Sequence, residues 1–309
     1  MTFFIEEPSK ILAWLNAKGY SGTLNDAFDK YLRSGSTMLG GTSYDQIMHR
    51  LSGTGTLNDR LTTMFQARTG LSNRKDAERK FFQDSSLNMF AGGGINSYTK
   101  LMLHADSTFV DSSPTPHTMT ANGGAIISSA QSVFGGASAL MVRATSSNVT
   151  TPDSDDWSFG ANPFTIDFRV RFVTANVDSD MVCQYQDASN YWSLIFRGSA
   201  NLLVLQFTVG GSLLCNINTS WTPSINTWYW VKVTRTGSTV HIYIDGVDQS
   251  LTVSTAMSSG SLGNNTGVLA VGGFSAVTGY GFSNAYLEEV RIQNGEADDS
   301  TTVPTEAYS

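Results

Sequence analysis

Apolar positions follow two different periods along this chain, and the change falls near residue 95. Before it they recur at helical spacing: Leu24, Ala27, Phe28, Tyr31 and Leu32 in one stretch, Leu57, Leu61, Met64 and Phe65 in another. The two stretches are copies. "GTLNDAFDKYLRSG" (22–35) returns as "GTLNDRLTTMFQARTG" (55–70), 33 residues later. In each copy a threonine precedes an aspartate by three residues, Thr23 with Asp26 and Thr56 with Asp59. This acidic variant of the capping box opens a helix and sets a carboxylate at its positive end. Ile11, Leu12 and Leu15, and again Ile47, Met48 and Leu51, predict a shorter helix ahead of each cap, and "RKDAERKFF" (74–82) predicts one more. Units this small cannot bury their own apolar faces, so Leu24, Phe28, Leu57, Leu61 and Phe65 are expected to dock on each other or on a partner chain.

Three consecutive glycines in "FAGGGINSY" (90–98) end the helical pattern. Beyond them short β-rich runs alternate with turn signals: "KLMLHA", "FTIDFRVRFV", "YWSLIF", "LLVLQFTV", "WYWVKVTR", "VHIYIDG", "GVLAVGGF" and "AYLEEVRI". This pattern predicts an antiparallel sandwich or barrel over residues 96–309, preceded by a helical module over 1–95. Within "TWYWVKVTRTGSTVHIYIDGV" (227–247), alternation puts Trp228, Trp230, Lys232 and Thr234 on one face and Tyr229, Val231, Val233 and Arg235 on the other. Thr236-Gly237-Ser238 and Asp245-Gly246 supply the turns.

Composition agrees, with 29 glycines and only 15% charged residues in 309. The net charge of −7 is uneven: residues 1–95 hold 11 Lys and Arg against 9 Asp and Glu, and the remainder 8 against 17, a balance of −9. An acidic sandwich is a poor surface for nucleic acid. Cys183 and Cys215 lie in separate strand-like segments, too few for a disulfide framework and without the clustering of a zinc site. No apolar run approaches the roughly 20 residues that span a bilayer, so no membrane insertion is expected. "MTFFIEEPSK" is acidic where a secretion signal would be basic, so synthesis in a cytoplasm is expected.

The segment from 98 onward resembles a laminin-G or concanavalin A-like lectin domain of the kind found in tailed-phage virion proteins. The resembling pieces run in order: "LMLHADSTFVDSSPTPHTMTANGGAIISSAQSVFGGASAL", "DSDDWSFGANPFTIDFRVRF", "NTWYWVKVTRTGSTVHIYIDG" and "LEEVRI". The "GTLND" units are similar to small helical segments at the front of phage structural proteins. The resemblance implies a mainly β, jelly-roll sandwich in a virion protein, either a capsid decoration or an accessory or tail appendage. It implies other virion proteins as partners, a homo-oligomeric state, and host surface polysaccharide as a ligand if the protein binds receptors.

Glucanases share this fold, so carboxylates decide whether cutting is open. Hydrolysis needs two facing one bond, and enzymes of the fold carry them at alternating positions of one strand. Here Glu288 and Glu289 are adjacent, which a regular strand sends to opposite faces, and Asp167 is followed two residues later by Arg169. His49, His104, His117 and His241 lie apart, with no nucleophile elbow. Cutting is therefore not expected. For binding, Tyr191, Trp221 and Tyr280 lie in or beside turns, where a ring can stack on a sugar or fill a core; Trp157, Trp192 and Trp228 are expected in the core. Asn264 and Asn265 in "GSLGNNTG" can bond hydroxyls or merely make turns. Asp106 and Asp111, with the Asp153, Asp155 and Asp156 cluster, form oxygen-rich loops that suit Ca²⁺ or cap turns through their own carboxylates.

Overall fold

β-branched and aromatic residues at every second position drive residues 98 onward into strands. The computed structural model describes residues 95–273 and 284–308. The helical module predicted for 1–95, its docking residues Leu24, Phe28, Leu57, Leu61 and Phe65, and the loop residue Tyr280 lie outside the described residues. The first strands are β1 (Thr99–Leu103), β2 (Thr120–Asn122), β3 (Ile126–Ser128), β4 (Ser138–Met141) and β5 (Asn148–Thr151). The long strands follow: β6 (Phe164–Phe172), β7 (Ser179–Asp187), β8 (Asn190–Arg197), β9 (Leu202–Val209), β10 (Ser212–Ser220) and β11 (Trp228–Thr236). The series ends with β12 (Thr239–Ile244), β13 (Val247–Asp248), β14 (Thr252–Thr255), β15 (Val268–Val271) and β16 (Ala285–Asn294). Among the described residues no helix is long and apolar enough to cross a membrane.

These strands form two antiparallel sheets. The first runs β13-β12-β11-β6-β16-β4-β3, with β1 also on β16, and the second runs β14-β10-β9-β8-β7-β15-β5-β2. The chain crosses between them several times as in a jelly-roll-like sandwich, while β7–β10 form a meander within the second sheet and β11–β13 one within the first. The core between the sheets is made of the inward half of each alternation: Ile166, Phe168 and Val170 from β6, Val231 and Val233 from β11, Leu194 and Phe196 from β8, Leu203, Leu205 and Phe207 from β9. Phe159, Phe164, Trp192 and Phe207 make one aromatic nucleus, with Phe159 4.4 Å from Phe164 and Trp192 6.0 Å from Phe207 between centroids. Each such pair adds about 0.5–1.5 kcal/mol beyond the area it buries. Cys183 and Cys215 are both free and buried.

The hairpin 227–247 has the alternation expected of it, but from Trp230 to Arg235 both faces of β11 are buried. Tyr229, Val231 and Val233 look into the core, while Trp230, Lys232 and Thr234 on the other side are also buried. The cause is the C-terminal segment, which crosses the outer face of the first sheet. Thr165 Oγ1 donates to the Glu296 carbonyl at 3.0 Å, Lys232 Nζ to the Ser300 carbonyl and Arg169 to the Pro304 carbonyl. The Lys232 ammonium sits 4.9 Å from the Trp230 ring and 5.1 Å from that of Tyr243, within cation–π range. Trp228, expected in the core, is half-buried at the start of the outward alternation, and Trp230 takes the covered position instead.

Candidate functional site

A sugar-binding surface needs a flat apolar ring beside amide or hydroxyl groups, and the outer face of the second sheet brings these together. Trp192, Leu194, Leu205, Phe207 and Ile217 face the core, so their alternates Tyr191, Ser193, Gln206, Thr208 and Asn216 face outward. Register aligns them in rows across the strands. One row pairs Val268 with Tyr185, Tyr185 with Tyr191, Tyr191 with Thr208 and Thr208 with Leu213. The next pairs Ala270 with Cys183, Cys183 with Ser193, Ser193 with Gln206, Gln206 with Asn216 and Asn216 with Thr255. Ala270, Cys183 and Ser193 are small and buried, whereas Tyr185, Tyr191, Gln206 and Asn216 stand half-exposed around them.

Hydrogen bonds hold this face rigid. Gln206 Nε2 donates to the Tyr191 hydroxyl at 2.7 Å, and the Tyr185 and Tyr191 rings lie 5.8 Å apart, tilted by 35°. In the β7–β8 turn, Asp187 Oδ1 accepts from Ser189 N at 2.7 Å and Asn190 Nδ2 at 3.0 Å. The neighbouring β9–β10 turn is tied to it: Gly210 N donates to Asn190 Oδ1 at 2.9 Å and Gly211 N to the Ser189 carbonyl at 2.9 Å. Gly210 and Gly211 have φ of 55° and 75°, the left-handed pair that a two-residue hairpin turn requires. Tyr191 therefore belongs to this face, as the second residue of β8 beside the β7–β8 turn. Its partner Tyr185 and the amides Gln206 and Asn216 escaped the sequence reading; the alternation in "QYQDASNYW" (184–192) is the signal that pairs the two tyrosines.

The other sequence-predicted residues are used elsewhere. Trp221 is a core residue: its ring packs 5.6 Å from Phe172, 5.4 Å from Phe196 and 5.4 Å from Tyr229. No sugar can stack on a ring covered in this way. Asn265 is buried, and its carbonyl accepts from Gln184 Nε2 at 2.8 Å; Asn264 is exposed and donates to Asp155 Oδ1 at 2.9 Å. Asn265 thus pins the 260–267 loop to β7, and Asn264 pins it to the turn at Asp155–Trp157. Asp111 is a turn-former. Its buried carboxylate accepts from the Met102, Ser113 and His117 backbone amides and from Ser113 Oγ, which leaves its oxygens surrounded by donors rather than facing a cation. Asp106 is half-buried and packs so closely on Gly135 that a Cβ there would lie 1.9 Å from its Oδ1. Asp153 accepts from Gln184 at 3.0 Å, and Asp156 accepts from His117 Nε2 at 3.0 Å and pairs with Lys100 at 3.4 Å. Among the described residues no group of three or more His, Cys, Asp or Glu is placed to hold a metal ion.

The acids weighed for cutting lie on the first sheet. A bulge shifts the register between Glu288 and Arg291, and Glu289 has φ of 52°. Leu287 and Val290 consequently both face the core, so the simple alternation expected across Glu288 and Glu289 does not hold. Both carboxylates are buried and engaged. Glu288 receives the Val133 amide at 2.9 Å and the Phe134 amide at 3.1 Å, and Glu289 lies 2.6 Å from His104 Nδ1. Burial raises the Glu288 pKa to about 7 against the pull of those amides, and burial raises that of Asp180 to about 7 against the charge of Arg197. An acid whose pKa is higher folded than unfolded contributes stability at low pH and loses it as pH rises through the folded value. The sandwich should therefore melt at progressively lower temperature as pH rises from about 4.5 to about 7. In Glu288→Gln and Asp180→Asn that slope should flatten; thermal melts across the range check it, and a midpoint rising with pH would contradict it.

Residues 143–300 match the family described as "Concanavalin A-like lectin/glucanases superfamily". No curated protein is similar to this chain in sequence. Among solved structures, the binding domain of botulinum neurotoxin DC in complex with rat synaptotagmin II aligns with a TM-score of 0.51 and 18% identity, over 66% of this chain and 50% of that one. The binding domain of Paraclostridial Mosquitocidal Protein 1 aligns with a TM-score of 0.50 and 16% identity, over 66% and 51%. Domain 4 of AbnA, a GH43 extracellular arabinanase from Geobacillus stearothermophilus solved with arabinotriose, aligns with a TM-score of 0.50 and 16% identity, over 66% of this chain and 96% of that domain. The chain thus spans about half the length of the toxin domains it matches, and at these identities the likeness is one of fold.

Proposed function

This chain belongs to the concanavalin A-like lectin/glucanases superfamily, and on that premise we propose that it is a non-enzymatic binding protein whose sandwich holds carbohydrate on the outer face of its second sheet. The observation that carries the reading is Tyr191, fixed by Gln206 beside Tyr185, with Asn216 opposite Gln206 on the next strand, all four half-exposed while Ser193 and Thr208 between them are buried. A ring plane covers the apolar face of a sugar, and neighbouring amides and hydroxyls bond its edge. The structure of the arabinanase domain with arabinotriose, and the dependence of botulinum neurotoxin type C entry on two ganglioside molecules, support a carbohydrate ligand for this fold. The rim loops, the first choice on sequence grounds, fit less well because Asn264, Asn265 and Trp221 already have structural partners. A glycan array probed with the full chain tests the reading. Tyr191→Ala should lose binding by at least about tenfold while the far-ultraviolet spectrum is unchanged, since truncating a central aromatic anchor typically costs about 2 kcal/mol or more. Unchanged binding would remove this face from consideration.

The proposed setting is a tailed-phage virion, as a capsid decoration or an accessory or tail appendage, with host surface polysaccharide as the ligand. Its support is the ordered resemblance of the sandwich pieces and the duplicated "GTLND" unit ahead of an acidic domain. Residues 1–95 would then dock on other virion proteins through Leu24, Phe28, Leu57, Leu61 and Phe65. Deleting 1–95 should abolish incorporation into particles, scored by quantifying the protein in purified virions; full occupancy without them would exclude the docking role.

A further inference from the structure

The outer face of the first sheet carries one arrangement twice, once covered and once open. Under the C-terminal strap Lys232 lies between Trp230 and Tyr243, its ammonium 4.9 and 5.1 Å from the two rings. This cation holds the strap through the Ser300 carbonyl and through the Asp298 carboxylate at 3.6 Å. Arg291 shares Asp298 at 3.4 Å, and Arg169 takes the Pro304 carbonyl. The face therefore already holds an acidic peptide segment, by cations set among aromatic rings. Two residues beyond Arg169, about 7 Å further along β6, the same composition returns. Arg171 lies opposite Trp228 on β11 and opposite Tyr286 on β16. Its guanidinium is 5.7 Å from the Tyr286 ring, within cation–π range.

This second row is accessible along its length. Phe172, Ala285, Leu287, Ala139 and Met141 face the core, so Arg171, Tyr286 and Leu140 face outward. Register extends the row from Trp228 through Arg171, Tyr286 and Leu140 to Ile126. The first four are half-exposed and Ile126 is 52% exposed. With strands about 4.8 Å apart, the row across β11, β6, β16, β4 and β3 spans about 19 Å. Ile225, 54% exposed, stands just ahead of β11, where Asn226 N donates to the Phe172 carbonyl at 2.8 Å. Charge sets the row apart as well. Residues 96–309 hold eight Lys and Arg, and seven of them are bonded to a carboxylate or a backbone carbonyl. Among the described residues Arg171 has no such bond, although the domain carries a balance of −9. A guanidinium between two rings suits a carboxylate whose neighbouring side chains lie on those rings. A nucleic-acid backbone would need several cations where this row offers one.

We infer that the row of Trp228, Arg171 and Tyr286 is a docking site for an acidic peptide segment of a partner protein. A carboxylate of that segment pairs with Arg171, and the side chains beside it lie on the two rings. The site is on the other sheet from the carbohydrate face and is independent of that reading. Calorimetry on the full chain with a synthetic peptide of residues 295–307 tests it, because this peptide has the acidic chemistry that the neighbouring row accepts. The same peptide with every Glu and Asp changed to Gln and Asn is titrated beside it. The acidic peptide should bind with an affinity that falls as sodium chloride is raised. The amide peptide should bind at least about tenfold more weakly. Arg171→Leu and Tyr286→Ala should each weaken the acidic peptide at least about tenfold, whereas Arg197→Ala on the second sheet should leave it unchanged. No binding of the acidic peptide, equal binding of the two peptides, or binding that survives Arg171→Leu would each overturn the inference. Inorganic phosphate and 3′-sialyllactose complete the series. Either one binding as tightly as the peptide, with the same loss in Arg171→Leu, would also overturn it and assign the row to a small anion.

Discussion

Arg291→Ala should cost the sandwich about 3–5 kcal/mol, the usual penalty for removing one partner of a buried charge pair. Arg291 and Asp167 have no side-chain exposure, and they meet through Nη2–Oδ2 at 2.6 Å and Nε–Oδ1 at 3.1 Å. The pair lies in a register row that continues from Met102 through Arg291 and Asp167 to Lys232 and Tyr243. Asp298 of the C-terminal segment approaches both cations, 3.4 Å from Arg291 and 3.6 Å from Lys232. Deleting the guanidinium leaves the Asp167 and Asp298 carboxylates without the cation that both approach. Urea unfolding followed by core tryptophan fluorescence measures the loss. Asp167→Leu combined with Arg291→Met should recover most of it, because the replacements carry no charge to desolvate. A single variant as stable as the parent would mean that the row is solvated.

Arg235→Ala should be the second large loss, about 2–4 kcal/mol, since several carbonyls lose a charged donor at once. The Arg235 guanidinium is buried at the end of β11 and donates to the carbonyls of Gly237, Gly160, Asn162, Ser258 and Gly260, at 2.7 to 3.3 Å. It joins the 158–162 loop to the 258–263 loop, where Leu262 N also donates to the Gly160 carbonyl at 3.0 Å. Arg235→Lys keeps the charge but not the planar fork, so it should restore only a minor part. Hydrogen exchange read in both loops checks the mechanism: protection should fall in the two together. Loss in one loop alone would contradict the shared anchor.

The fold was legible in most of the long strands, although β7 and β10, nine residues each, were not among the runs picked out. The runs containing β6, β8, β9, β11, β12 and β16 read correctly, including the two faces of β11. Strands β2, β3, β13 and β14 have two to four residues, too few to show a period. The harder failures are long-range. Local pattern sorts β11 into two faces but does not show what covers the one holding Lys232, whose ammonium is bonded to the carbonyl of Ser300, 68 residues away. Trp221 follows a strand end and reads as a turn residue, yet Phe172 and Phe196 enclose it. Alternation across Glu288–Glu289 fails because a bulge, which has no composition signature here, resets the pleat. For the candidate site the sequence named Tyr191, whose ring is half-exposed on the second sheet. It missed Tyr185, Gln206 and Asn216, because they join Tyr191 only through the pairing of β7, β8, β9 and β10.

The central claim is that carbohydrate lies on the outer face of the second sheet. Amide and side-chain chemical shifts of the full chain, titrated with a neutral oligosaccharide that binds, locate the ligand directly. Changes concentrated at Tyr185, Tyr191, Ser193, Gln206 and Asn216 are predicted. Changes confined to the 260–267 loop, or to the strap over Lys232 and Arg291 on the first sheet, would contradict the account.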